Sequence, residues 1–220
     1  MCEFFTLYPI CDHIIEYCYT FNMNVYLLFS IFGLAVCRDS KLYLKPAWAD
    51  EQKFHRYQDV KKSIQLGVNA TFYLAKVTYN SESIWARNIS CVRSTARTIS
   101  DGVFNLTTIA KYTNQSDMHT SYAKVTVTKV YGYKKTKNGF KYKPQDGSMQ
   151  SKYALTFSNY RTCSIYYGPT HVFSGDYELW VRDYKNIPPC CEFLFKYLAL
   201  AKRTRVMYED ICDSETDVKG

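Results

Sequence analysis

Histidine is scarce in this chain, and the spacings that usually carry catalysis or metal binding are missing. Downstream of the first thirty-seven residues the histidines are His55, His119 and His171, far apart and in no His-x-x-x-His pattern. There is no Gly-x-Ser-x-Gly elbow, no glycine-rich phosphate loop and no Cys-x-x-Cys box. These absences argue against the common hydrolase, nucleotide-binding and zinc-site classes. No cofactor, metal or enzymatic activity is expected. Proline and glycine are also few, at six and nine, which excludes a fibrous or low-complexity chain. No Lys or Arg precedes Arg38. The apolar run from Val25 to Val36 is too short to span a bilayer, so no membrane span is expected.

That run has the length of a secretory signal core, and Ala35 and Cys37 place small residues before the Cys37–Arg38 bond. Residues 1–37 therefore read as a leader and 38–220 as a single exported domain. Met23 stands just before the run, so a start there makes residues 1–22 upstream translated sequence. A buried helix of the folded domain is the alternative, and it fits the change of composition at Arg38 less well. The leader holds Glu3, Asp12 and Glu16 and no base, so its removal raises the net charge from +8 to +11. Such a balance favours anionic partners or surfaces.

Four sequons, at Asn69, Asn88, Asn105 and Asn114, fit a secreted, extracellular glycoprotein. Five cysteines follow the leader: Cys91, Cys163, Cys190, Cys191 and Cys212. In an oxidising compartment they read as two disulfides with one thiol left over.

What is abundant is aromatic: 21 tyrosines and 13 phenylalanines, which suit half-buried pleated surfaces. Asp50 is placed to cap a helix running to about Ser63. Strands are expected over 71–79, 85–92, within 102–112, 122–133, 152–158, 162–167 and 177–182. In 122–133, Val125 and Val127 alternate with Thr126 and Thr128. Asn138-Gly139 reads as a tight hairpin turn, since both residues accept positive φ. Pro188-Pro189 opens a C-terminal helix over 191–201. The fold class is all-β: an eight-stranded antiparallel up-and-down barrel with a short N-terminal helix and a C-terminal helix. A barrel of eight strands leaves room for one small ligand.

The lysines from Lys134 to Lys143 interleave with Tyr131, Tyr133, Phe140 and Tyr142. That pattern can bind single-stranded nucleic acid, but the export signals favour a solvated hairpin whose lysines discourage edge pairing. No nucleic-acid partner is expected. A glycosaminoglycan, or an anionic ligand near the barrel mouth, is a further reading of these lysines.

The C-terminal third reads Cys163-Ser164-Ile165, Tyr177-Glu178-Leu179-Trp180-Val181, Ile187-Pro188-Pro189-Cys190-Cys191-Glu192-Phe193, Val206-Met207-Tyr208 and Cys212. Upstream stand Trp48-Ala49-Asp50, Tyr57-Gln58-Asp59-Val60-Lys61-Lys62-Ser63 and Tyr73-Leu74-Ala75-Lys76-Val77-Thr78-Tyr79-Asn80. In order and spacing these resemble the tick salivary lipocalins of the histamine-binding family, over Trp48 to Cys212. The resemblance implies a monomeric secreted barrel that sequesters a small host mediator and counters host defence. It implies the pairs Cys91–Cys212 and Cys163 with Cys191 or Cys190, the remaining cysteine staying free or capping a dimer.

Amine binders of that family typically carry Asp where this chain has Ser164, and an aromatic where it has Lys61. If Cys163 faces outward, Ser164 and Tyr166 face the cavity, because neighbouring strand residues point to opposite faces. Glu178 and Trp180 share a face, assigned inward. A carboxylate beside an indole suits an ammonium ligand. The expected ligand set is Glu178, Trp180, Asp59, Tyr57, Ser164, Tyr166 and Lys61. Asp59 and Glu178 favour a biogenic amine. Ser164, Lys61 and the net charge favour an anionic lipid such as a leukotriene. A surface that binds a host protein, with the cavity unused, is the third reading.

Overall fold

The computed structural model describes residues 45–68, 70–79, 89–112, 117–169, 175–200 and 202–214. The leader and the sequons at Asn69, Asn88 and Asn114 lie outside the described residues.

The expected eight-stranded barrel is present. Its strands are β1 (Phe72–Val77), β2 (Ile89–Ser100), β3 (Val103–Tyr112), β4 (Met118–Thr128), β5 (Gly139–Pro144), β6 (Ser151–Ser158), β7 (Cys163–Pro169) and β8 (Gly175–Val181). Each pairs antiparallel with the next, and β1 pairs with both β8 and β2, so the sheet closes on itself. Closure removes the free edges an open sheet would present. A two-residue strand, β9 (Arg205–Val206), adds to the far half of β1. Alternation sets the two faces: in β4, Ala123, Val125 and Val127 are buried while Lys124 and Thr126 are exposed.

The segment before β1 is not one helix. Asp50 caps α1 (Glu51–Phe54), accepting from the Gln52 and Lys53 amides. A 3-10 turn follows over His55–Tyr57. Asp59 then caps a second helix, α2 (Val60–Gln65), by accepting from the Lys62 amide. Two aspartates nine residues apart each start a helix of their own, because an N-cap side chain competes with continuation of the turn before it. From α2, Val60 and Ile64 pack on Phe104, Val125, Val127, Phe140 and Leu155. This plugs one end of the barrel. Gln58, fully buried, holds the plug in register: its amide donates to the Trp48 and Thr156 carbonyls, and its carbonyl accepts from the Tyr133 hydroxyl.

The Asn138-Gly139 turn is a correction. The connection from β4 to β5 is a long loop over 129–138, with positive φ at Tyr131 and Gly132 instead. Asn138 is buried and its side chain accepts from the Val130 amide. Glycine follows for space: a Cβ on Gly139 would lie 2.7 Å from the Tyr153 carbonyl oxygen. The loop is tied from outside by Glu51, whose carboxylate accepts from the amides of Lys134, Lys135 and Thr136.

After β8, α3 (Pro189–Leu198) lies on the outer wall with Phe195 and Cys191 buried against β7 and β8. A disulfide joins Cys163 to Cys191, and another joins Cys91 on β2 to Cys212 in a final helical turn, α4 (Ile211–Ser214). Cys190 is also disulfide-bonded in the full 220-residue chain. No helix among the described residues is long and apolar enough to cross a membrane.

Candidate functional site

The barrel encloses a cavity of about 560 Å³, within the range of small-molecule sites. The connections β2–β3, β4–β5 and β6–β7 lie at the end closed by α2. The opposite end is the mouth, where Tyr112, His119 and Asp146 line the cavity.

Strand register builds the inner patch. Ser164 on β7 lies opposite Trp180 on β8, and Tyr166 lies opposite Glu178. All four line the cavity. Ser164 and Trp180 sit deeper, toward α2, where the Ser63 hydroxyl bonds to those of Ser164 at 2.6 Å and Tyr166 at 2.7 Å. Ser164 also donates to Ser158. Hydroxyls thus satisfy one another at the closed end.

Glu178 is the carboxylate at mid-depth. Its Oε2 accepts from the Trp180 indole N–H at 2.9 Å. Burial pushes its carboxyl up to about 7, Asp176 adds to the rise, and hydrogen bonds from Trp180 and Tyr79 oppose it. Around it stands an aromatic wall from three strands. The Phe140 and Tyr153 rings stack at 5.0 Å, Tyr166 meets Phe140 edge-on at 5.5 Å, and Tyr142 meets Tyr153 edge-on at 6.2 Å. The negative field of Glu178 reaches this wall, adding to the burial that raises the hydroxyls of Tyr153, Tyr142 and Tyr166, the last to about 12. No Lys or Arg is among the described residues lining the cavity.

Three residues of the expected ligand set lie elsewhere. Asp59 is spent on the α2 cap. Tyr57 packs its ring on Phe157 at 5.6 Å. Lys61 is ion-paired with Asp101 of the β2–β3 turn. None of the three lines the cavity, because α2 turns Ser63 and Ile64 inward instead. Residues missed from the sequence are Ser63, Tyr79, Phe140, Tyr142 and Tyr153. For Phe140 and Tyr142 the signal was present, since two aromatics two residues apart share one face.

Comparison with known proteins agrees with this architecture. The family model described as tick histamine binding protein matches residues 48–214. The male-specific histamine-binding salivary protein of Rhipicephalus appendiculatus is 36% identical over 195 residues, covering 86% of this chain and 95% of that protein. The female-specific histamine-binding protein 1 of the same tick is 33% identical over 173 residues, covering 76% and 88%. Among solved structures, AM182 in complex with serotonin is similar with a TM-score of 0.52 at 24% identity, covering 70% of this chain and 91% of that one. Lobster apocrustacyanin A1 gives 0.55 at 15% identity, covering 76% and 90%. These structural likenesses carry the fold, and the sequence matches carry the family. The closed barrel, its plugging helix and its clamped C-terminal helix are thus those of a lipocalin, and the chain belongs to the tick histamine-binding protein family.

Proposed function

We propose that this protein sequesters a biogenic amine such as histamine or serotonin in its barrel, by binding without turnover, as a secreted monomer that counters host defence. The observation that carries this reading is Glu178: a carboxylate at mid-depth, hydrogen-bonded to an indole and faced by an aromatic wall. An ammonium group gains there a charge-assisted hydrogen bond and cation–π contact. The ring of an aromatic amine finds Phe140 and Tyr153 to pack on. Two relatives are named for histamine binding, and one structural neighbour was solved with serotonin, which supports the same class. Of the residues that favoured each reading, Lys61 pairs with Asp101 and Asp59 caps α2, both away from the cavity, while Glu178 and Ser164 line it.

Export supplies the setting: a mature chain starting near Arg38, with glycans at Asn69, Asn88, Asn105 and Asn114. Asn105 lies on the outer face of β3, next to buried Phe104.

Isothermal calorimetry of the secreted protein against histamine, serotonin and a leukotriene panel tests the proposal. Amine binding that disappears in Glu178→Gln supports it. Leukotriene binding with no amine signal, or silence across the panel, overturns it.

A further inference from the structure

The charge of this protein is not spread evenly around its barrel. Strands β2 to β6 carry seven Lys or Arg and not one Asp or Glu. The acids of the barrel stand on β8, as Asp176 and Glu178, and Glu192 stands on α3 outside. On the basic side the register aligns the charges. Arg97 on β2 lies opposite Asn105 on β3, Asn105 opposite Lys124 on β4, and Lys124 opposite Lys143 on β5. One row further, Lys141 on β5 lies opposite Lys152 on β6. All five cations are exposed.

Two of these cross-strand pairs, Lys124 with Lys143 and Lys141 with Lys152, put like charges directly opposite each other. Such pairs destabilise a sheet. Lysines on a strand often guard an open edge, but β4, β5 and β6 each have a partner on both sides. Folding therefore gains nothing from this arrangement, and charge complementarity points to a polyanion. The row runs across the strands, around the circumference of the barrel. Neighbouring strands lie about 4.8 Å apart, so the row from β2 to β5 spans roughly 14 Å. A curved wall turns its outer charges away from a flat membrane, whereas a flexible chain can follow it. Nucleic acid needs a series of exposed aromatic platforms for its bases, and among the five aligned cations the exposed aromatic at hand is Tyr122, two residues before Lys124; sulfate groups require only the cations.

We propose that the outer wall formed by β2 to β6 is a binding surface for a sulfated polysaccharide chain of the glycosaminoglycan type, separate from the cavity. Asn105 sits within the row, so a glycan there would screen it. Binding is strongest in the deglycosylated protein. In molecules that carry no glycan at Asn105, such a surface holds a scavenger of small mediators where sulfated polysaccharide is dense, without touching the ligand site.

The test uses secreted protein, before and after enzymatic removal of N-glycans, on immobilised heparin. The deglycosylated protein binds, and salt weakens the binding steeply. Lys124→Ser, Lys141→Ser and Lys143→Ser together lower the affinity by about fivefold per lysine, about a hundredfold in all. A control that removes the same charge elsewhere, Lys53→Ser, Lys62→Ser and Lys196→Ser, lowers it far less. Calorimetry with histamine, unchanged from the parent protein, shows that the basic-face variant is folded. The proposal is overturned by no heparin binding at low salt, by equal losses in the two triple variants, or by equal affinity for desulfated heparin. Equal affinity for anionic vesicles or single-stranded DNA overturns it as well.

Discussion

Replacing Glu178 by Gln should remove amine binding and at the same time make the empty protein more stable at alkaline pH. Burial lifts the Glu178 carboxyl from 4.5 to about 7. Between those values the folded protein holds a proton that the unfolded chain has already released. Stability therefore falls as pH rises from 4.5 through about 7, and the loss is complete above that. A shift of about 2.5 pH units, at 1.36 kcal/mol each, amounts to about 3 kcal/mol. Gln is neutral throughout and can still accept from the Trp180 indole N–H, so the variant escapes the loss while keeping that hydrogen bond. For a domain of this size, 3 kcal/mol corresponds to roughly 6–12 °C in melting temperature. Thermal melts at pH 8 should show the variant higher by that amount, and melts at pH 4.5 should coincide. Saturating histamine should raise the parent protein at pH 8 and leave the variant where it was. Equal melts at pH 8, or a gap that persists at pH 4.5, would refute the reasoning.

Amine affinity should itself fall below pH 7, by up to about tenfold per unit, because binding then expels the proton on Glu178; calorimetry in buffers of different ionisation heat reads the proton release. Cys163→Ser with Cys191→Ser opens a loop spanning 28 residues, and the chain-entropy estimate is a loss of about 4 kcal/mol, seen as a lower urea midpoint. Ser63→Ala leaves Ser164 and Tyr166 short of a partner at the closed end and should cost about 1–3 kcal/mol on the same assay. The Glu51 carboxyl is held down to about 2 by the amides of Lys134, Thr136 and Lys135. Its support for the loop is thus present above pH 4.5 and lost as pH falls toward 2, which amide hydrogen exchange at residues 134–136 should follow. Mass spectrometry of protein secreted from insect cells should find a chain beginning near Arg38 and bearing N-glycans; retention in the cell with residues 1–37 intact would defeat that expectation.

Period-two alternation made most of the barrel legible from sequence. The expected β6, β7 and β8 lie within about two residues of the observed ones, β4 begins four residues and ends five residues earlier than expected, and Glu178 and Trp180 fall on one face of β8. Parity failed where distant contacts decide. Asn138-Gly139 resembles a local turn signal, yet the loop before it takes its shape from Glu51 and Gln58, some eighty residues upstream in sequence. Asp59, Tyr57 and Lys61 share a short stretch with Ser63, but only three-dimensional packing reveals which side of α2 meets the cavity. A helix of six residues has too little pattern to show its buried side. The aromatic wall escaped for a related reason: its rings come from three strands, and each strand alone shows nothing beyond ordinary alternation.

The seam between β1 and β2 has a consequence for how the chain is made. Only two register pairs, Phe72 with Ser94 and Tyr73 with Arg93, join these strands directly. Beyond them β1 pairs with β9, and the Cys91–Cys212 bond straps β2 to the tail that follows. The partner sulfur of Cys91 is therefore translated 121 residues after it, a delay of roughly ten seconds at cellular elongation rates. Throughout that interval Cys91 lacks its native partner, and Cys163 emerges before its own does. In an oxidising compartment, native pairing must then either wait for the last residues or undo a premature Cys91–Cys163 link by thiol–disulfide exchange.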